Sequence, residues 1–534
     1  MIADLRPFDR AFGDYIAAKS GSAELGALLA RVSAADSEGH AALPLERGTA
    51  AELLALYGRG DPLWIGNGDA LSFAVAQGDL LFLWRNWQHE LSIADAVLGR
   101  LRHAPLSADI VASAVSRIPG PISDEQRAAI AAAPGRALFL LTGGPGTGKT
   151  TTARALVQLL LELAPQLGWP DAPRVLLAAP TGKAAQRLSA AIGRPAQTLH
   201  SLLKFRPDLA RFAHGPNEPL AAELVLIDEA SMLDLPLMRA LLEALPERAM
   251  LVLLGDPDQL QSVAAGTVLG DLVAALEGSG AVRRLHRGFR NDSSLLPLIE
   301  AVRCGADALP PAPLNFCGSA RAPLPGLIEW AHEQRWHLRG SWSPERAFSS
   351  LADAQILCAL RVGPSGSERL GAALDQHFRA RHGIDPWYPG RAVMFTRNDP
   401  GSGLTNGELG IAVEIDGALK VATAASEIAR HPVAPDAMAL RLRDPAELPE
   451  HVPAFALTVH KSQGSEYQRI ALVLPPAPDH PLLTRQLLYT ALTRARQSID
   501  LWGDEASLLA AMARPAARIG GLRSRLERSH LRAS

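Results

Sequence analysis

Cysteine, lysine and net charge are all in short supply in this chain of 534 residues. Its three cysteines, Cys304, Cys317 and Cys358, stand far apart without a Cys-x-x-Cys pair. Neither a disulfide framework nor a four-cysteine iron–sulfur cluster can be assembled from them. No apolar run approaches the ~18 residues of a membrane span, and the opening Met1-Ile2-Ala3-Asp4-Leu5-Arg6 lacks the apolar core of a secretion signal. The expectation is a cytoplasmic protein with no membrane partner. A formal net charge of -2 does not announce a nucleic-acid binder, so a basic surface has to be local, as in a narrow DNA channel. Of 53 basic residues only six are lysines: Lys19, Lys149, Lys183, Lys204, Lys420 and Lys461. Three of them fall inside motifs. A phosphate-binding point needs a compact ammonium, which the planar fork of arginine does not replace.

What is present is apolar material, 48% of the chain, enough for three or four domains. Residues 1–118 show helical periodicity at 50–56 and 91–101 around a strand-like, aromatic middle at 80–87. Ile118-Pro119-Gly120-Pro121 then reads as a linker. Beyond it, strand-like runs at 136–141, 175–179, 224–227 and 250–254 alternate with helical ones, and each run ends at a loop rich in Gly, Pro or Asp. This alternation predicts an α/β fold with a parallel, doubly wound sheet and its ligand at the carboxyl ends of the strands. The proline-rich stretch 309–325 reads as a crossover to a second alternating set at 355–360, 470–474 and 499–501. Between its members, short strand candidates at 391–396, 410–415 and 418–422, punctuated by Asn-Gly and Asp-Gly turns, predict a small inserted β module. The arginines at 518, 523, 525, 528 and 532 read as a solvated, frayed tail.

The chemistry starts at Gly143-Gly144-Pro145-Gly146-Thr147-Gly148-Lys149-Thr150, followed by Thr151, between an apolar run at 137–141 and a helical pattern at 153–163. The glycines let backbone N–H groups turn onto phosphate oxygens, Lys149 reaches the β- and γ-phosphates of ATP, and Thr150 holds Mg²⁺. At the end of the run 224–227, Asp228 is the candidate metal carboxylate and Glu229 the candidate general base for γ-phosphate hydrolysis. Gln259, in Gly255-Asp256-Pro257-Asp258-Gln259-Leu260, is placed to sense the γ-phosphate. The segment Ala179-Pro180-Thr181-Gly182-Lys183-Ala184-Ala185, at a strand end opening a helix, offers N–H groups and a cation to a DNA phosphate. Far downstream, Thr458-Val459-His460-Lys461-Ser462-Gln463-Gly464-Ser465-Glu466-Tyr467 gathers hydroxyls, a base and an acid. Tyr489-Thr490-Ala491-Leu492-Thr493-Arg494-Ala495-Arg496 is expected to put arginines on a helix. An arginine reaching the γ-phosphate from a second domain ties hydrolysis to domain closure; Arg494 is one candidate and Arg290 another.

These six motifs, in their order along the chain, resemble those of superfamily 1 helicases, and within them the RecD family, the alpha subunits of exonuclease V (RecBCD). The resemblance covers residues 119 to about 505; Phe82, Trp84 and Trp87 resemble the family's amino-terminal domain more loosely. It implies two RecA-like doubly wound P-loop domains with a small SH3-like β insertion and a mostly helical amino-terminal domain. The division is then 1–118, contacting partners; 119–290, with a short hairpin at 205–219; and 291–534, with the insertion at about 398–455. The resemblance further implies that Gln126 reads adenine, that Glu466 contacts the nucleotide sugar, and that Thr181, Lys183, Thr198, His200, Thr458 and His460 line a single-strand path. The implied activity is an ATP- and Mg²⁺-dependent 5'-3' DNA helicase and DNA-dependent ATPase, assembled with RecB and RecC subunits. It would act on single-stranded and double-stranded DNA ends, in double-strand break repair by homologous recombination and in degradation of linear DNA. None of the six lysines has an acid two positions before it, so the Glu-x-Lys nuclease pattern is missing and nuclease activity is expected in a partner. Three rivals stand beside this: a stand-alone helicase of the same type, a regulatory subunit whose ATPase only signals, and a generic phosphate-loop ATPase. About 118 residues ahead of the motifs leave little room for the helix-hairpin-helix extension of stand-alone relatives, which favours a subunit.

Overall fold

Runs of four to six apolar residues buried on both faces are what a parallel sheet needs when helices cover it on each side. The computed structural model describes residues 5–60, 63–262, 264–286, 293–334, 342–383, 385–399, 401–424 and 440–533. The first sheet has six strands in the order Val282–Leu285, Leu138–Gly143, Met250–Gly255, Leu224–Ile227, Val175–Ala179, Ala196–Thr198, all parallel. Alternate residues divide between two cores. Phe139, Leu141, Leu224, Leu226, Val252 and Leu254 pack on the helix Lys149–Glu162. Leu138, Leu140, Val225, Ile227, Leu251 and Leu253 pack on the helices Leu235–Ala244 and Val268–Leu276.

The second sheet runs Leu314–Gly318, Ala495–Trp502, Tyr467–Val473, Ala354–Cys358, Ala456–Thr458, again all parallel. Its two edge strands went unforeseen. Leu314–Gly318 lies inside the proline-rich stretch expected only as a crossover, and it forms because its prolines, Pro313 and Pro323, flank the strand rather than interrupt it. Ala456–Thr458 is only three residues long, too short to show a period.

Between these strands sits a five-stranded antiparallel sheet in the order Leu440–Arg443, Ala418–Ala424, Leu409–Ile415, Ala392–Phe395, His451–Pro453. It takes in Ala392–Phe395 and therefore starts ahead of residue 398. Asp416 and Gly417 have φ of 51° and 76°, the pair of positive values that a two-residue hairpin turn requires. The expected hairpin after the first sheet's edge strand pairs Phe205–Arg206 with Arg211–Phe212. The boundary expected near 290 falls outside the described residues.

Among the described residues, the amino-terminal part joins five helices to a four-stranded sheet. The aromatic middle is half strand and half helix: Leu80–Leu83 is a strand, and Trp84 starts the 18-residue helix Trp84–Leu101. The expectation of a frayed arginine tail is wrong. Leu522–Ala533 is a helix, with Leu522 and Leu526 fully buried against the second core of the first sheet. These two leucines, four positions apart, make one apolar face that the arginines around them hide from a composition-based reading. Arg525 reaches back to Glu90 on Trp84–Leu101, Nε to Oε2 at 3.3 Å, and its guanidinium lies 5.5 Å from the ring of Phe82 and 5.6 Å from that of Trp87. The same carboxylate accepts the Gly521 N–H at 2.9 and 3.0 Å. A Cβ at Gly520 or Gly521 would come within 2.7 or 2.9 Å of its oxygens, which explains the glycine pair. Arg523 and Arg528 do face solvent.

Candidate nucleotide cleft

A helix that starts on a glycine loop presents several unpaired N–H groups to whatever anion lies before it. Here Gly146 and Gly148 take φ of 78° and 79°, left-handed values that other residues resist, and Gly148 caps Lys149–Glu162. Lys149 Nζ donates to the carbonyls of Gly143 at 2.5 Å and Gly144 at 3.0 Å, and Thr147 Oγ1 donates to Gly144 O at 2.8 Å. In front of the loop lies a cavity of about 280 Å³, whose walls include Pro145, Gly146, Gly148, Lys149, Thr150, Thr151, Asp228, Glu229, Gln259, Arg187, Glu466 and Arg494. Residues from both parallel sheets therefore share one cleft.

Asp228 and Glu229 follow directly from the strand Leu224–Ile227. Burial, then the neighbouring charge of Glu229, pushes the Asp228 carboxyl up to about 6. Its Oδ1 accepts the Glu229 N–H at 2.8 Å. Glu229 itself holds φ 53° and ψ 41°, an unfavourable conformation for a residue with a Cβ, at the point where its side chain enters the cavity. Thr150 and Asp228 line the same cavity with one oxygen donor each, a set that suits Mg²⁺, which binds through one or two protein oxygens and retains water. No cluster of three metal-ligating side chains occurs among the described residues.

Gln259 is buried; its Nε2 donates to Asp256 Oδ2 at 3.1 Å, while its Oε1 has no partner. An orphaned buried acceptor facing this cavity fits a ligand-held donor such as a metal-bound water. Asp256 Oδ2 also accepts the O–H of Tyr489 at 2.9 Å. Burial pushes the Asp256 carboxyl up, the Lys149 charge opposes this, and the phenol of Tyr489 is raised by burial and by that carboxylate. Tyr489 joins the cleft unforeseen, because only the arginines of its motif carry an evident phosphate chemistry.

Those arginines are not on a helix. Arg485–Leu492 ends before them, and Arg496 lies on the strand Ala495–Trp502. Arg494 stands between the two elements because its guanidinium closes the helix end, Nε donating to Thr490 O at 3.0 Å and Nη2 to Thr493 Oγ1 at 3.2 Å. Its Nη1 donates to Ser465 O at 3.2 Å, which links it to the Ser462–Glu466 segment. Glu466 accepts from Arg496 at 3.1 and 2.9 Å and sits 4.0 Å from Arg187. Arg187, which also donates to Gly464 O, was missed although it lies four positions after Lys183 on one helix face. Arg290 lies outside the described residues.

Gln126 closes a capping box with Ser123, its Oε1 accepting the Ser123 N–H at 3.0 Å, and its Nε2 donates to Thr147 O at 3.4 Å. It touches the phosphate loop, beside a second cavity of about 370 Å³ walled by Gly144, Pro145 and Thr147 on one side and by Arg284, Leu295, Leu296 and Ile299 on the other.

The residues expected on a strand path are less uniform. Lys183 is half-buried, its Nζ donating to Ser465 Oγ at 2.6 Å, and desolvation with nearby Arg187 and Arg494 lowers it to about 8. It lies between the two sheets, on the cleft side. Thr181 and Thr198 cap helices, accepting the N–H of Ala184 at 3.3 Å and of Ser201 at 3.2 Å, next to half-buried Pro180 in the first case. Thr458 Oγ1 accepts the Lys461 N–H at 3.3 Å. His200 is exposed and packs beside the hairpin rings of Phe205 and Phe212, at 5.6 and 5.7 Å. His460 is half-buried, and burial and the charge of Arg518 lower its pKa.

Comparison with known proteins agrees with this layout. The family described as RecBCD enzyme subunit RecD, N-terminal domain, matches residues 3–110, an AAA domain matches 126–265, and a UvrD-like helicase C-terminal domain matches 453–499. The RecBCD enzyme subunit RecD of Mycolicibacterium smegmatis is 38% identical over 486 residues, covering 84% of this chain and 82% of that one. That of Mycobacterium tuberculosis H37Rv is 36% identical over 84% of this chain and 80% of its own. The ATP-dependent RecD2 DNA helicase of Deinococcus radiodurans is 34% identical over 74% of this chain but only half of its own length.

Proposed function

The chain belongs to the RecD family of RecBCD enzyme subunits, and from that premise we propose that it is the ATP-driven DNA helicase subunit of such an enzyme, moving 5' to 3' on single-stranded DNA at duplex ends with RecB and RecC as partners. The observation that carries this reading is the shared cavity: the phosphate loop, Asp228, Glu229 and Gln259 come from the first sheet, and Glu466 and Arg494 arrive from the second. A cleft built this way tightens when its nucleotide is bound and relaxes when the phosphate leaves, so turnover drives relative movement of the two sheets.

In this reading Lys149 and Arg494 face the transferred phosphoryl group, with Arg187 adding a third cation, and stabilise its charge in the transition state. Thr150 and Asp228 would hold Mg²⁺, which would supply charge neutralisation at the phosphates. Glu229 orients and deprotonates the attacking water. Gln259, with one unpartnered oxygen, reports whether the γ-phosphate is present. The larger flanking cavity, with apolar Leu295, Leu296 and Ile299 beside the Gln126 contact, accepts the base. Thr181, Thr198, Thr458, His200 and His460 contact the strand through hydroxyl and imidazole groups, as sequence-independent tracking demands. The match at 3–110 and the 82% coverage of a RecD subunit, against half coverage of the RecD2 helicase, favour a subunit over an independent helicase.

The test is ATP hydrolysis with and without single-stranded DNA, then unwinding of duplexes with a 5' or a 3' tail, by the chain alone and with partner subunits. Stimulated turnover and a 5'-tail preference are expected; turnover indifferent to DNA in both settings would sink the reading.

A further inference from the structure

Between the helices Glu505–Ala513 and Leu522–Ala533 the chain carries one arginine that meets two separate parts of the molecule. Arg518 donates through Nη2 to the carbonyl of Ser262 at 2.6 Å, and through Nη1 to those of Ala264 at 2.7 Å and Gly266 at 3.0 Å. These carbonyls come directly after Gln259 and Leu260. On its other side the guanidinium lies flat against Gly39 of the amino-terminal part, where a Cβ would stand 2.8 Å from its Cζ. The neighbouring backbone is tied to the same place: Ile519 N–H donates to His40 Nδ1 at 3.0 Å, Ala41 N–H to Ile519 O at 2.7 Å, and Gly266 N–H to Gly39 O at 3.0 Å. His460 joins this arrangement through Gln463, whose N–H donates to His460 O at 3.2 Å, and the charge of Arg518 also bears on that imidazole.

The backbone that Arg518 grips is also held at its other end. Leu260 N–H donates to Thr490 Oγ1 at 2.7 Å, and Leu260 O accepts from Gln463 Nε2 at 2.9 Å. The Gln259 segment thus runs between the second sheet's residues at 260 and Arg518 at 262–266. The planar fork spreads its donors over two terminal nitrogens, which lets it hold carbonyls on either side, whereas an ammonium concentrates its three donors at one nitrogen.

We propose that Arg518 is a positioning residue for DNA-stimulated ATP hydrolysis, fixing the backbone that carries Gln259 relative to His460. Contact of a DNA strand at His460 then alters how Gln259 is presented to the nucleotide, and nucleotide state alters the grip in return. The inference rests on the reading of the chain as a DNA-dependent ATPase, and it adds a coupling element outside the six motifs.

The experiment uses the full chain, purified as the assembly it forms in cells, with poly(dT) as the probe. ATP turnover is measured with and without DNA for the unsubstituted protein, Arg518→Lys, Arg518→Gln, Gly39→Ala and Arg525→Ala. The ratio of stimulated to basal turnover is expected to fall about tenfold in both Arg518 variants, a typical size for coupling between two sites, with the basal KM for ATP unchanged. Gly39→Ala, which pushes the guanidinium from the opposite side, shifts the ratio the same way. Arg525→Ala loosens the same carboxyl-terminal helix without touching Arg518 and leaves the ratio intact. Equal stimulation in the Arg518 variants and the unsubstituted protein would overturn the inference alone, as would an equal loss in Arg525→Ala. Absence of stimulation in the unsubstituted protein would overturn the motor reading and this inference together.

Discussion

The phenol of Tyr489 donates to Asp256 Oδ2 at 2.9 Å, and through this bond the helix Arg485–Leu492 beside the second sheet touches the strand end that carries Gln259 in the first. Both groups are buried, so the bond forms out of water, where losing one partner leaves the other unsatisfied. A double-mutant cycle of Tyr489→Phe and Asp256→Asn, read by urea unfolding, is expected to give a coupling of about 1–2 kcal/mol. Strict additivity would mean that the contact joins the two sheets in geometry only.

Glu229→Gln keeps the size of the side chain at a strained backbone position and removes the base. ATP binding is expected to persist while turnover drops by about two to three orders of magnitude, the usual share of general base catalysis. Filter binding beside steady-state hydrolysis separates the two, and turnover near the unsubstituted level would remove Glu229 from the mechanism.

Phe205 is 40% exposed at the hairpin beside His200 and Phe212. Phe205→Ala is expected to weaken single-stranded DNA binding by about tenfold, the worth of one stacked base, with ATP turnover in the absence of DNA unaffected. Fluorescence anisotropy with a labelled oligonucleotide checks it; unaltered affinity would take the hairpin off the strand path.

Burial raises the Glu90 carboxyl to about 7, against the opposing pull of the Gly521 N–H and Arg525. A folded-state value above the ordinary 4.5 means that this group's contribution to stability is full below about 4.5 and is lost as pH rises to about 7. The unsubstituted protein should therefore lose stability relative to Glu90→Gln across that window, and the gap should stay constant above it. Thermal unfolding of both proteins from pH 5 to pH 8 measures this, and parallel profiles would show that Glu90 titrates normally.

Much of the cleft could be foreseen because phosphate chemistry dictates residue types at short spacings. Gly146 and Gly148 are glycine because the backbone turns left-handed there, and Asp228 follows a strand whose four residues are all buried. What escaped were contacts made across long separations. Asp256 and Tyr489 are 233 positions apart, and Arg518 and Ser262 are 256 apart, so no local period or motif connects them. The helical placement of Arg494 failed for a different reason: the apolar pattern of 487–492 continues smoothly into the buried Ala495, and only the side chain's own bond to Thr490 O shows where the helix stops. The arginine tail misled because its charge density masks the two leucines that bury one face of the helix.

The Glu90–Arg525 pair also sets an order of events in synthesis. The two residues lie 435 positions apart, so at about 5–20 residues per second a ribosome makes the acid tens of seconds before its cation. Throughout that interval the nascent amino-terminal layer has a carboxylate on the very face that is later sealed, and water must keep access to it. That layer can reach its finished packing only after the helix starting at Leu522 has left the exit tunnel, which makes the start of the chain among the last regions to mature.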